Sequence, residues 1–299
     1  CALLRAAGLR KPPTGTWAWP TSRACSVRDS VLPPPIIALL TDFGDRDEYV
    51  GVMKGVVLRR APGARIVDLC HHIAPHDICQ AAAMIDASFA YFPDHTLFVM
   101  VVDPGVGGDR GIVLATAGAR AFVCPDNGLL TGLIRRGIVD SARRITNQAL
   151  FGDTVSPTFH GRDIMAPVAG YLAAGGLPEE LGPLRAVSEL VCSAAAPARR
   201  EADGSVLGRV VSVDRFGNVI TDIGCDLLTS VCGDDLNSIL TIEVGTCRRI
   251  PLVPSYSARP RGELLATIGS RGTLEIAVNT GHAADRLDIV PGLPVRVRH

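Results

Sequence analysis

From Ile36 to Leu69 the chain reads IIALLTDFGDRDEYVGVMKGVVLRRAPGARIVDL. Ile36 to Leu40 is a short, fully apolar run, the pattern of a strand covered on both faces. It stops at Thr41-Asp42-Phe43-Gly44. Glu48 to Arg60 reads as a helix, because Val50, Met53, Val57 and Leu58 recur at helical spacing. Ile66 to Leu69 is a second strand. Further on, Asp77 to Tyr91 is an alanine-rich helix, and Leu97 to Val102 is a third strand ending in Asp103-Pro104-Gly105. The order β-α-β-α-β implies a parallel sheet. Ligands of open α/β sheets bind beyond the carboxyl ends of the strands, which places Asp42 and Asp103 on one rim.

Strands are also expected at Ile112 to Ala115 and Ala121 to Cys124, followed by a turn at Pro125-Asp126-Asn127-Gly128. A helix should begin near Asp163 and run to Leu172. Residues 174–205 are rich in Gly, Pro, Ala and Glu and read as a linker region. Beyond them the period becomes two. Val206 to Val213, Val219 to Ile223, Ser238 to Val244, Thr273 to Val278 and Val295 to Val297 read as strands of a small all-β domain, a barrel or a sandwich. The expected division is a leader over 1–35, an α/β domain with a mainly parallel sheet over 36–190, and a β domain over 191–299.

The chain has 299 residues, with 30 basic and 30 acidic side chains. That balance argues against a nucleic-acid binder with a broad basic surface. A 47% hydrophobic and 20% charged composition excludes disorder over the whole chain. No apolar run approaches the ~18 residues of a membrane span. Nine cysteines are dispersed without a C-x-x-C pair, which points to reduced thiols in a reducing compartment and away from structural zinc. Only Lys11 and Lys54 are lysine, a bias read as base composition. Residues 1–35 are basic, proline-broken and poor in acids. They read as a disordered extension or misassigned start, with an organelle transit peptide as the alternative to a plain cytoplasmic location.

Three polar clusters lie in the first domain. Asp42 can accept hydrogen bonds from two adjacent sugar hydroxyls, or cap a helix. In Asp103-Pro104-Gly105-Val106-Gly107-Gly108-Asp109-Arg110, the loop can bring Asp103 and Arg110 together for chemistry or as a structural ion pair. It is neither a dinucleotide fingerprint nor a P-loop. In Phe159-His160-Gly161-Arg162-Asp163, His160 can project into a site or serve the loop. His71, His72 and His76 are nearby alternatives and do not form a zinc-protease motif. No G-x-S-x-G elbow is present. In the second domain, Asp214-Arg215-Phe216-Gly217-Asn218 and Gly269-Ser270-Arg271-Gly272 read as hairpin turns. As functional elements, Asn218 can read a base edge, and Ser270 with Arg271 can hold a carboxylate.

In this order, TDFGDRDEYVGVMKG from Thr41, VDPGVGGDR from Val102, PDNGLLT from Pro125, FHGRDIMAP from Phe159, VDRFGNVITDI from Val213 and GSRGTLEIAVNTG from Gly269 resemble the S-adenosyl-L-methionine hydroxide adenosyltransferase family, relatives of the fluorinase and chlorinase. The resemblance covers residues 36 to about 285. It implies an α/β domain followed by a β-barrel, hydrolysis of S-adenosylmethionine to adenosine and methionine, and a homotrimer with the substrate between subunits. It implies neither a cofactor nor a metal. The family's Asp-Arg-His set falls on Asp103, Arg110 and His160. Asp42 matches the ribose-binding aspartate, and Asp214 and Ser270, with Arg271 beside it, match positions for the methionine part. Asn218 and the backbone around Val278 to Thr280 match adenine contacts, and Glu275 lies in the same segment. His76 stands where relatives often carry an aromatic, and Ile220 where the halogenases carry a tryptophan.

The chemistry such a resemblance implies is coherent. A sulfonium is already an excellent leaving group, so the demand is to align and activate water for in-line attack on the ribose 5′ carbon. Arginine, with a pKa above ~12, stabilises incipient hydroxide and is no base. Histidine, near ~6.5, can take a proton. A halogenase on the same scaffold is disfavoured by Asp103, which would repel a halide, and by the lack of an inserted loop between Asp103 and His160. A non-catalytic sensor would need only the pocket residues.

Overall fold

A computed structural model describes residues 34–232, 241–245 and 249–298. The leader expected over 1–35 and the first part of the strand expected from Ser238 lie outside the described residues, except for residues 34 and 35. Contacts divide the chain into two compact units meeting at residues 194 and 195.

In the first unit, β1 (Ile36–Thr41), α1 (Tyr49–Arg60), β2 (Arg65–Cys70), α2 (Ile78–Ser88) and β3 (Leu97–Val101) follow the expected order. Then come β4 (Ile112–Ala117), β5 (Arg120–Pro125), α3 (Thr131–Arg135), β6 (Ser141–Arg144), α4 (Ala166–Ala173) and β7 (Leu184–Arg185). They build one seven-stranded sheet in the order β2-β1-β3-β5-β4-β6-β7. The parallel arrangement extends through β2, β1, β3 and β5. From there β4, β6 and β7 pair antiparallel, so the sheet is mixed. The cause is local: only Gly118 and Ala119 separate β4 from β5, and so short a link permits only a hairpin. β7 comes from the stretch expected to be linker.

Alternation along the strands sorts two cores. Ile37 and Leu39 of β1 face α1 and α4, whereas Ala38 and Leu40 face α2 and α3. Every residue of β3 is buried, as a central strand covered on both faces requires. Where an α-helix was expected from Asp163, Gly161–Met165 forms a π-helical turn that runs into α4. Such turns re-aim the side chains around them and recur at functional sites.

The second unit holds β8 (Arg199–Arg200), β9 (Val206–Val213), β10 (Val219–Gly224), α5 (Cys225–Cys232), β11 (Thr241–Val244), β12 (Leu264–Ile268), β13 (Thr273–Val278), α6 (Ala283–Leu287) and β14 (Pro294–Arg298). It is a curled antiparallel sheet, close to a barrel, in the order β11-β14-β9-β10-β13-β12, with β8 on β9. Val210, Val219, Ile276 and Val295 fill its interior. β12 escaped the sequence reading because Leu-Leu-Ala-Thr-Ile lacks polar alternation. Among the described residues no helix is long and apolar enough to cross a membrane.

Candidate active site

β1 and β3 are neighbours in parallel register, with Thr41 opposite Val101. Asp42 follows Thr41 directly and Asp103 comes two residues after Val101, so both emerge on the carboxyl rim. Asp42 is not a helix cap: α1 is preceded by Glu48. Its Oδ2 instead accepts the backbone N–H of His76 at 2.9 Å. His76 adopts a left-handed φ of 69°, an uncommon conformation for a non-glycine residue.

The Asp103–Arg110 loop closes on itself through the Val106 N–H to Asp103 O and Gly108 N–H to Gly105 O bonds. Gly107 has φ +79°, and a Cβ there would lie 2.3 Å from the Pro157 carbonyl oxygen. Only glycine lets this loop approach the segment before His160 so closely. Arg110 Nε donates to both Asp103 carboxylate oxygens at 2.9 Å, and Nη2 also donates to Oδ2. Nη2 lies 2.8 Å from His160 Nδ1. Asp103 and Arg110 side chains are 5% and 12% exposed, so the pair is largely shielded from water.

The polarity of this set follows from donor chemistry. Arg has only N–H donors, so His160 Nδ1 must be the acceptor and Nε2 carries the proton. Burial and the adjacent Arg110 charge hold His160 below the usual imidazole range, against the opposing pull of Asp103 and Asp163. His160 is thus a neutral imidazole at neutral pH, with an outward N–H to offer.

A cleft of about 300 Å³ is lined by Asp42, Asp103, His160 and the aromatic rings of Phe43, Tyr49 and Phe159. The three rings pack against one another with centroids 5.1 to 5.7 Å apart. The sequence reading did not assign them to the site; their one signal is that each adjoins a polar cluster.

The second unit has its own cleft, about 800 Å³, lined by Asp214, Asn218, Ser270, Arg271, Glu275, Val278 and Thr280 together with Ile220, Phe216 and Tyr256. All seven expected residues of this unit meet there. Asp214 organises its own turn: Oδ1 accepts the N–H groups of Phe216 and Asn218, and Oδ2 accepts the Asn218 amide. Phe216 is left 75% exposed at the turn's tip. Glu275 is buried on β13, opposite Ile220 of β10 and Thr267 of β12. The Tyr256 hydroxyl donates to its Oε1. Burial, helped by the Asp214 charge, pushes Glu275 above the usual carboxylate range, while Tyr256 and Arg271 pull it down. Burial and the Glu275 charge likewise push the Tyr256 phenol up. Thr280 takes a left-handed φ of 56° just after β13. Tyr256, on a 3₁₀ turn, was missed because nothing local distinguishes it.

Among the described residues no group of three or more His, Cys, Asp or Glu is arranged to hold a metal ion. Two family models match this chain: the SAM hydroxide adenosyltransferase N-terminal domain over residues 37–182 and the corresponding C-terminal domain over 208–296. The chain belongs to the SAM hydroxide adenosyltransferase family. It is 39% identical to an (R)-S-adenosyl-L-methionine hydrolase of Thermus thermophilus, over 87% of this chain and 98% of the relative. A fluorinase of Nocardia brasiliensis is 30% identical, over 88% and 97%. In structure the chain is similar to an uncharacterized conserved protein from Thermotoga maritima, with a TM-score of 0.82 and 35% identity, covering 88% of this chain and all of that one. The family boundary falls between residues 182 and 208, the interval that contains the junction of the two units.

Proposed function

We propose that this chain hydrolyses S-adenosyl-L-methionine to adenosine and L-methionine, by in-line attack of water on the ribose 5′ carbon. The supporting observation is that Asp103 and His160, bridged by Arg110, line one cleft with Asp42, within a chain more similar to hydrolases than to fluorinases. Asp42 takes the ribose hydroxyls. Asp103 accepts a hydrogen of the attacking water and aligns it through Oδ1, which takes one bond from Arg110 where Oδ2 takes two. Arg110 offsets the charge that develops on that water. His160 donates from Nε2. The C–S bond breaks as the C–O bond forms, methionine leaves as a neutral thioether, and the water's proton passes to solvent.

Ser270 and Arg271 hold the methionine carboxylate, with Asp214 ordering the turn beside them. Asn218 and the backbone from Val278 to Thr280 read adenine, and Glu275 shapes the same wall. Each cleft presents half of the contacts that one substrate needs. We therefore propose a homotrimer in which the α/β domain (36–190) of one subunit and the β domain (191–299) of the next enclose the substrate. We also propose that it works in the cytoplasm, where the thiols of Cys70, Cys79, Cys124 and Cys192 stay reduced.

A halogenase reading is disfavoured because the Asp103 carboxylate, 5% exposed, occupies the wall where a halide would have to sit. Incubation with S-adenosylmethionine, with and without chloride, followed by chromatography, tests both. Equal adenosine and methionine, indifferent to chloride, is expected. A halogenated adenosine, or intact substrate, would overturn the proposal.

A further inference from the structure

Behind the Asp42 turn lies a set of polar side chains that the reaction does not use. The ladder between β1 and β2 slips by one residue: Leu39 pairs with Asp68, but Leu40 pairs with Cys70, so Leu69 is extra. Bulges of this kind re-aim side chains near active sites. Here it brings His71, just past β2, against Thr41, the last residue of β1. Thr41 Oγ1 lies 2.9 Å from His71 Nδ1, and His71 Nε2 lies 3.0 Å from Asp68 Oδ1. Lys54 Nζ, reaching across from α1, donates to Asp68 Oδ2 at 2.6 Å. At the other end, the Phe43 N–H points at Thr41 Oγ1 at 3.3 Å, and the Gly44 N–H donates to the His71 carbonyl at 2.7 Å.

Burial would raise the Asp68 carboxyl, but hydrogen bonds from Lys54 and His71 outweigh it and hold the group below its usual range. Asp68 is therefore an ionised acceptor. As a neutral imidazole, His71 donates from Nε2 to that carboxylate and accepts at Nδ1. Thr41, fully buried, donates its hydroxyl to that nitrogen, and its oxygen is free to accept the Phe43 N–H. Charge at the partly exposed end, where Asp68 is 45% exposed, thus orders a buried hydroxyl at the inner end. That hydroxyl and the His71 carbonyl together pin the backbone on the far side of Asp42, at residues 43 and 44.

We infer that Lys54, Asp68, His71 and Thr41 form a positioning relay that holds the Asp42–Phe43–Gly44 turn in its ligand-binding shape, and so sets affinity for the ribose without entering the chemistry. The inference rests on the reading of Asp42 as the ribose contact. Neither Lys54, Asp68 nor Thr41 lines the cleft, and they act through the turn alone.

The test compares Thr41→Val, which keeps the shape and removes the hydroxyl, with Thr41→Ser, which restores it. T41V should raise KM for S-adenosylmethionine about tenfold, the effect of one lost buried hydrogen bond, with kcat within about twofold. Calorimetric affinity for adenosine should weaken in parallel, and T41S should match the unaltered protein. A KM unchanged in T41V, a loss confined to kcat, or a defect that T41S does not rescue would overturn the relay. If T41V does not fold, Lys54→Met at the exposed end decides: a KM raised about threefold supports the relay and an unchanged KM overturns it. An unaltered protein that neither turns over S-adenosylmethionine nor binds adenosine would instead sink the reading of the site. An active protein indifferent to T41V sinks only the relay.

Discussion

The two clefts solve different electrostatic problems with similar residues. In the α/β unit a carboxylate, a guanidinium and an imidazole are locked into one another, with Asp103 and Arg110 shielded from water. In the β unit the carboxylate of Asp214 is engaged by its own turn, and the cleft is wider, about 800 against about 300 Å³. The difference teaches where rate and where affinity should reside. Preorganised charge in a dry pocket stabilises a transition state. A broad wall of turn-held polar groups discriminates among ligands and binds ground and transition states alike.

Arg110→Met is the severest challenge to that division. It removes the cation bonded to both Asp103 and His160, and should lower kcat by about a thousandfold with KM within about threefold, read as adenosine released per minute. Arg110→Lys should recover little, because a point charge cannot bridge two carboxylate oxygens and an imidazole at once. The contrast fails if Arg271→Leu, in the other cleft, costs as much in kcat.

Gly107→Ala attacks the same locked set through the backbone. A Cβ at φ +79°, 2.3 Å from the Pro157 carbonyl oxygen, forces the loop and the His160 segment apart. The expected result is a loss of about 1–3 kcal/mol in thermal or denaturant unfolding, with kcat reduced about a hundredfold as Arg110 and His160 separate. A variant that kept full kcat would show that the close approach serves stability alone.

Arg271→Leu should act on affinity only. Loss of a charged hydrogen bond to a carboxylate raises KM about tenfold to a hundredfold, and kcat at saturation should hold within about threefold. S-adenosylmethionine should be affected more than adenosine, since adenosine has no carboxylate for Arg271 to hold. Equal effects on both would place Arg271 at the nucleoside instead.

Much of this arrangement was legible in the sequence because strand ends are legible. Fully apolar runs closing in Asp42 and Asp103 fixed both the parallel core and the rim. Turn chemistry around Asp214 and Gly269 showed two hairpins, and the family resemblance marked them as binding segments. What escaped depended on distant contacts. The hairpin at Gly118-Ala119 turned the sheet antiparallel, and β12 carried no alternation to betray it. The π turn at Gly161 has no local code: a Cβ at Gly161 would press on Met53 and Val101, residues more than fifty positions away. Tyr256 became part of the site only by reaching Glu275 across the β unit. The relay from Lys54 needed the one-residue slip in β2, which no period reveals.

The smallest expected effects lie in pH dependence, where the two clefts should leave separate signatures. His160 accepts from Arg110 only while neutral; once protonated, an N–H would face an N–H and a cation would face a cation. Its pKa lies below the ordinary value of about 6.5, so kcat should stay level from pH 8 down to about 6.5 and fall only at more acidic values. Glu275 is displaced the other way, above the ordinary value of about 4.3. Its carboxylate is lost as pH falls through that raised value, so KM should climb on the acid side while kcat follows His160. Glu275→Gln should abolish the KM limb and leave the kcat limb in place. A single limb shared by both parameters, or a kcat limb that moved in the E275Q variant, would mean that the two clefts titrate as one site and that rate and affinity are not divided between them.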